Sequence, residues 1–126
     1  MYKIKVQDKF SAAHRLLGYR GPCEALHGHN FKVEVVIRAN KLDKLGMVID
    51  FKKIKKILER IIDPYDHVVL NEVPPFDRIN PTSENIAKVI ADHFSKKLAR
   101  KSGLYVDKVT IWEAEGSSAE YIPDSD

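Results

Sequence analysis

Two imidazoles stand two residues apart in the segment Cys23-Glu24-Ala25-Leu26-His27-Gly28-His29, with the chain's only cysteine four residues before the first of them. In an extended chain, residues i and i+2 point to the same face, so His27 and His29 can converge on one metal ion. Gly28 between them adds no side chain and allows a close backbone approach. A third histidine, His14, lies upstream in another strand-like segment. Nitrogen donors favour zinc over magnesium or calcium. Three neutral imidazoles leave one tetrahedral position open, the arrangement of a catalytic rather than a structural zinc site. The competing reading is a set of structural histidines without a metal.

Cys23 has three readings: a fourth zinc ligand, a buried inert thiol, or a reactive thiolate. A nearby cation lowers a thiol pKa, and a thiolate beside a zinc-bound substrate can act as a general base. Asp66-His67 is a second constellation, in which the carboxylate can orient the imidazole and stabilise its protonated form. Glu113 ends an apolar-alternating segment, Val109-Thr110-Ile111-Trp112-Glu113. A carboxylate on a covered face needs a partner. The readings are a partner Lys or Arg of the protein, simple exposure at the strand end, or a ligand presenting two N–H donors, such as the N3 and 2-amino edge of a pterin. His93, inside a helical pattern, reads as structural or exposed.

The elements that must place these groups follow from periodicity. Tyr2–Val6 alternates with period two, and the strand continues through Phe10, Ala12 and His14. Phe31, Val33, Val35 and Ile37 repeat the pattern with the parity of His27 and His29. Asp50 caps a helix whose stripe is Phe51, Ile54, Ile57, Leu58, Ile61 and Ile62, ended by Pro64. Residues 63–81 read as irregular. A second helix starts near Thr82 or Ser83, buries Ile86, Ile90, Phe94 and Leu98, packs closely at Ala87 and Ala91, and stops at Gly103. Two strands follow, Leu104–Glu113 and Ser118–Ile122. The order predicts an α+β domain with a mostly antiparallel, four-stranded sheet.

With 126 residues, 44% hydrophobic and 31% charged, the chain reads as one soluble domain spanning 1–126, able to bury a core without disulfides. The absence of a long apolar run and of a signal-peptide core, with a lone cysteine, points to the cytoplasm and away from a membrane. The net charge of +3 is mild, and Lys52, Lys53, Lys55 and Lys56 read as a solvated helix face, not a nucleic-acid surface.

These segments together resemble the 6-pyruvoyltetrahydropterin and 6-carboxytetrahydropterin synthase family, of the tunnelling fold. The resemblance runs through Phe10-Ser11-Ala12-Ala13-His14, Cys23…His27-Gly28-His29-Asn30-Phe31, and Gly46-Met47-Val48-Ile49-Asp50-Phe51. It continues in Asp66-His67-Val68-Val69-Leu70-Asn71, Pro81-Thr82-Ser83-Glu84-Asn85 and the Glu113 strand end. It implies that His14, His27 and His29 bind Zn2+, that Cys23 is the catalytic base in a relay with Asp66 and His67, and that Glu113 anchors the pterin. Thr82 and Glu84 are implied as further ring contacts.

The fold it implies has two helices on one face of the sheet, with sheets joining into a barrel in a trimer. Two trimers stack into a homohexamer with active sites between subunits. The implied substrate is 7,8-dihydroneopterin triphosphate, and the three-residue gap between Cys23 and His27 is similar to that of the carboxy synthases. These release triphosphate and acetaldehyde; the pyruvoyl synthases only eliminate triphosphate. In a side branch a loop glutamate replaces the cysteine and the side chain is cleaved to 6-hydroxymethyl-dihydropterin. Glu24 gives this chain both residues, and Ala114 stands where the family pattern has threonine. A zinc-stabilised module that binds a pterin or purine without reacting is the non-enzymatic alternative.

Overall fold

The computed structural model describes residues 1–18, 25–99 and 103–124. Cys23 and Glu24 lie outside the described residues. The alternating N-terminal segment forms one long strand, β1 (Tyr2–His14), and the histidine pair opens the second, β2 (His27–Ala39). They pair antiparallel over their whole length, with Phe10 opposite Phe31. Helix α1 (Phe51–Ile62) begins where the Asp50 carboxylate accepts the Lys52 N–H at 2.8 Å. Helix α2 (Ser83–Leu98) is capped by the Thr82 hydroxyl, which accepts the Asn85 N–H at 3.1 Å. Strands β4 (Tyr105–Ala114) and β5 (Ser117–Tyr121) close the described chain as an antiparallel pair.

The sheet has five strands rather than the expected four. Strand β3 (Val68–Val69) adds parallel to β1 at Ala12 and Ala13, giving the order β3-β1-β2-β4-β5. Two residues carry no period, so this strand left no mark in the hydrophobic pattern. The segment around it is two short 3-10 turns, Asp63–Tyr65 and Leu70–Glu72.

Both helices cover one sheet face, α1 against β1 and α2 against β4 and β5. Phe10, Phe31, Val35, Ile37, Val109 and Ile111 meet Ile54 and Leu58 of α1 and Ile86, Ile90 and Phe94 of α2 in one core. Full burial of each such side chain contributes about 1.5–3 kcal/mol. Phe51 departs from the expected stripe: it stands at the first helical position, one turn before Ile54, and stays exposed. Gly103 has φ +81°, but α2 already ends at Leu98, so its left-handed conformation belongs to the turn into β4.

The opposite face is polar. Lys3 pairs with Asp107 at 2.9 Å, Lys108 with Glu120 at 3.0 Å, and Lys32 stands over the Trp112 ring at 4.3 Å. The outer edge of β1 is paired only at Ala12 and Ala13, so most of that strand presents open backbone groups among the described residues. The lysines of α1 are exposed, as expected of a solvated face. No described helix is long and apolar enough to cross a membrane.

Candidate active site

The β1–β2 register builds the histidine cluster. His14 lies directly opposite His27, and Ala12 opposite His29, so the three imidazoles share the helix-covered side of the sheet at its end. Their ring centroids lie 4.6 Å (His14–His27), 5.2 Å (His14–His29) and 4.8 Å (His27–His29) apart. One nitrogen from each falls within 4.8 Å of the others. Ligands of one tetrahedral zinc stand roughly 3.4 Å apart, given Zn–N bonds near 2.0–2.1 Å.

Hydrogen bonds select the tautomer that such a site needs. His14 Nδ1 lies 2.7 Å from the Pro81 carbonyl, and His27 Nδ1 lies 2.8 Å from the Ala25 carbonyl. A carbonyl oxygen can only accept, so both Nδ1 atoms carry hydrogen and the neutral rings keep their lone pairs on Nε2. A backbone carbonyl on the second ring nitrogen is a common companion of a metal-binding histidine. His14 is fully buried, and desolvation lowers its pKa below the ordinary imidazole value. The Pro81 hydrogen bond and the Glu113 charge pull it upward, while His27 and His29 add to the lowering. The Nε2 atoms of His14 and His29 are buried without a hydrogen-bond partner among the described residues. Unsatisfied buried polar atoms carry a cost, and a metal held by these lone pairs removes it. The donor set fits a zinc ion.

Gly28 does not serve the expected close approach within the chain. Among the described residues, a Cβ added there meets nothing nearer than the Ala12 carbonyl oxygen at 3.8 Å, an ordinary contact.

Glu113 reaches the same place from β4. Its carboxylate oxygens stand 4.0 Å from His14 Nε2 and 3.9 Å from His29 Nε2, too far for hydrogen bonds. Among the described residues its hydrogen-bonding protein partner is Ser83, whose hydroxyl donates to Oε1 at 2.7 Å. Sequence reasoning singled out Thr82 and Glu84 on either side. Thr82 spends its hydroxyl on the helix cap, Glu84 is exposed, and Ser83 between them faces the site, 8% exposed. The one signal in the sequence was its place at the start of a helix following Pro81 and Thr82.

Asp66 and His67 form the pair that their adjacency suggested, with Asp66 Oδ2 3.0 Å from His67 Nδ1. The second oxygen, Oδ1, accepts the backbone N–H of Ser11 at 2.9 Å. That bond is the largest effect and, with the individually weaker His67 contacts, holds the Asp66 pKa below its ordinary value against the opposing desolvation. His67 has φ 58°, a left-handed conformation uncommon outside glycine. Its N–H bonds the Ser11 carbonyl, and the β3 pairing beside it fixes the turn. The imidazole is 81% exposed. His67 and His29 both border a cleft of about 500 Å³ that Ser11, Ala13, Gly28 and Asn30 also line.

The lowered Asp66 pKa has a signed consequence. The unfolded chain binds this proton more readily than the folded one, so its contribution is present above about pH 3.8 and is lost as pH falls through the folded value. Asp66→Asn is expected to flatten the acid limb of stability, measured by urea denaturation from about pH 2.5 to 6. An unchanged limb removes Asp66 from that account.

Comparison with known proteins adds to this geometry. Residues 3–124 match a family model described as 6-pyruvoyl tetrahydropterin synthase. A 6-carboxy-5,6,7,8-tetrahydropterin synthase of Rickettsia typhi is 34% identical, over 95% of this chain and 99% of its own. A dihydroneopterin monophosphate aldolase of Pyrococcus furiosus is 35% identical, over 94% of this chain and 95% of its own. The solved structure of Caenorhabditis elegans 6-pyruvoyl tetrahydropterin synthase superposes with a TM-score of 0.85 at 32% identity, covering 98% of this chain and 96% of that one.

Proposed function

Since the chain belongs to the 6-pyruvoyl tetrahydropterin synthase family, we propose that it is a zinc-dependent lyase that converts 7,8-dihydroneopterin triphosphate to 6-carboxy-5,6,7,8-tetrahydropterin, releasing triphosphate and acetaldehyde. The observation that carries this reading is the His14, His27 and His29 cluster with the Glu113 carboxylate beside it. When bound there, zinc supplies Lewis-acid polarisation of the substrate side chain.

The other roles belong to the chain's own groups. Glu113 accepts the N3 and 2-amino N–H donors of the pterin, with Ser83 already holding Oε1. Thr82 and Glu84 flank this edge of the ring. Cys23 is the general base. Asp66 fixes the Nδ1 side of His67 and leaves Nε2 to carry protons. A mere binding module has no use for such a relay.

The exposure of His67 fits a site completed by a neighbouring subunit. The open edges of β1 and β5 fit strand pairing between copies into a barrel, and we assign a homohexamer of two stacked trimers. The family match across residues 3–124 supports one domain over 1–126. A lone thiol acting in this chemistry fits the reducing cytoplasm.

A second reading is cleavage of the side chain to 6-hydroxymethyl-dihydropterin. It is favoured by the aldolase relative and by Glu24 next to Cys23. Incubating the zinc-loaded protein with dihydroneopterin triphosphate separates the readings by product mass. Carboxytetrahydropterin with acetaldehyde is expected. The hydroxymethyl product establishes the second reading, the pyruvoyl product places the chain with the simple triphosphate eliminases, and no turnover refutes the lyase.

A further inference from the structure

We propose that Ser83 is a positioning residue that sets the angle of the Glu113 carboxylate and thereby the selectivity of the site for a 2-amino-4-oxo ring edge. The inference rests on the reading of Glu113 as the ring anchor.

A glutamate at a strand end has three rotatable side-chain bonds, and nothing in β4 fixes its plane. The Ser83 hydroxyl does so from another element, donating to Oε1 at 2.7 Å across thirty residues of sequence. Ser83 is itself 8% exposed and stands at the first position of α2. There its backbone is immobilised on one side by the Thr82 cap. On the other, Pro81 is tied to His14 through its carbonyl at 2.7 Å. One short segment, Pro81 to Ser83, therefore orients both a metal-facing imidazole and the carboxylate.

The bond uses one lone pair of Oε1 and leaves the other, with all of Oε2, to a ligand. A carboxylate locked in one plane can accept two parallel N–H donors, as bidentate pairs require. A swinging one meets them singly. Sites built to satisfy a polar edge reject analogues that lack it, and that rejection depends on the donors meeting acceptors already in place.

The test uses the full-length, zinc-loaded protein and two ligands, 7,8-dihydroneopterin and its counterpart with oxo in place of the 2-amino group, measured by calorimetry. Ser83→Ala is expected to weaken dihydroneopterin binding about 10-fold, the cost of ordering a freed side chain on binding. Affinity for the 2-oxo analogue should barely move, so the discrimination ratio falls by the same factor. Ser83→Thr, which keeps the hydroxyl, should restore the ratio, and zinc content should stay at one per chain in every variant. Equal weakening for both ligands reports general loosening of the helix start and overturns the proposal. An unchanged ratio in Ser83→Ala, with the ratio lost in Glu113→Gln, overturns the role of Ser83 and leaves the anchor standing. An unchanged ratio in Glu113→Gln overturns the anchor reading, and the proposal with it.

Discussion

His29→Ala and His14→Ala proteins are expected to bind zinc at least about 100-fold more weakly than the parent and to lose the zinc-dependent rise in melting temperature. Four-ligand structural zinc sites carry about 10–16 kcal/mol, so each ligand accounts for roughly 3 kcal/mol, which is a factor of a hundred or more. The lone pairs are already directed for this purpose. Carbonyls of Pro81 and Ala25 hold hydrogen on the Nδ1 atoms of His14 and His27, and burial keeps His14 neutral. The two variants separate metal binding from folding. His14 is fully buried and packs edge-on against Phe31 at 5.4 Å between centroids, so its truncation also opens a cavity and strands the Pro81 carbonyl. The His29 side chain is 25% exposed, and its loss leaves the fold close to intact. Zinc titration with thermal melts of metal-free and loaded protein reads both effects. Bound ligand at a thousandfold excess over Kd adds about 4 kcal/mol to stability, a large shift for a chain of this size. A His29→Ala protein that takes one zinc with parental affinity refutes the three-histidine site.

This site was legible because its geometry is a matter of parity. His27 and His29 share a face through the period of two, and the long alternating run into His14 carries the third imidazole to the end of β1 on the same side. The two long helices were legible for the same kind of reason, with apolar stripes of period 3.6 behind clear caps at Asp50 and Thr82. What escaped depends on contacts between distant segments. Ser11 supplies the N–H that fixes Asp66 from 55 residues away, and nothing local to Asp66-His67 announces it. The direction in which Ser83 points is decided by how the first turn of α2 lies against β4. The sequence pointed to Thr82 and Glu84 and not to Ser83, whose bond to Glu113 only the tertiary structure brings about. Strand β3 exists because β1 offers it an edge, with no pattern of its own. Local signals therefore placed the histidine cluster, while the contacts that fix Glu113 and Asp66 needed the assembled fold.

The Cys23→Ala protein is expected to keep one zinc per chain and parental pterin affinity while turnover falls about 1,000-fold, within the range that removal of a general base produces. The three readings of this thiol then separate. A fourth ligand predicts loss of metal, since a coordinating thiolate carries a ligand's share of the affinity. An inert buried thiol predicts unchanged turnover. The base alone predicts chemistry lost with both binding steps retained, because removing a group that acts in the transition state lowers kcat without weakening ground-state binding. His67→Ala should behave alike, since Asp66 holds that imidazole at 3.0 Å on an exposed turn where it contributes little to the core. Asp66→Asn should cost less, because the ring remains. The exposure of His67 makes a further distinction accessible. If Cys23 of one subunit works with His67 of its neighbour, Cys23→Ala and His67→Ala chains are each inactive alone but, unfolded together and refolded as mixed oligomers, recover part of the parental turnover at sites that receive both intact residues. Sites contained within a single chain stay inactive however the two variants are mixed, and that result would return Cys23, Asp66 and His67 to one subunit.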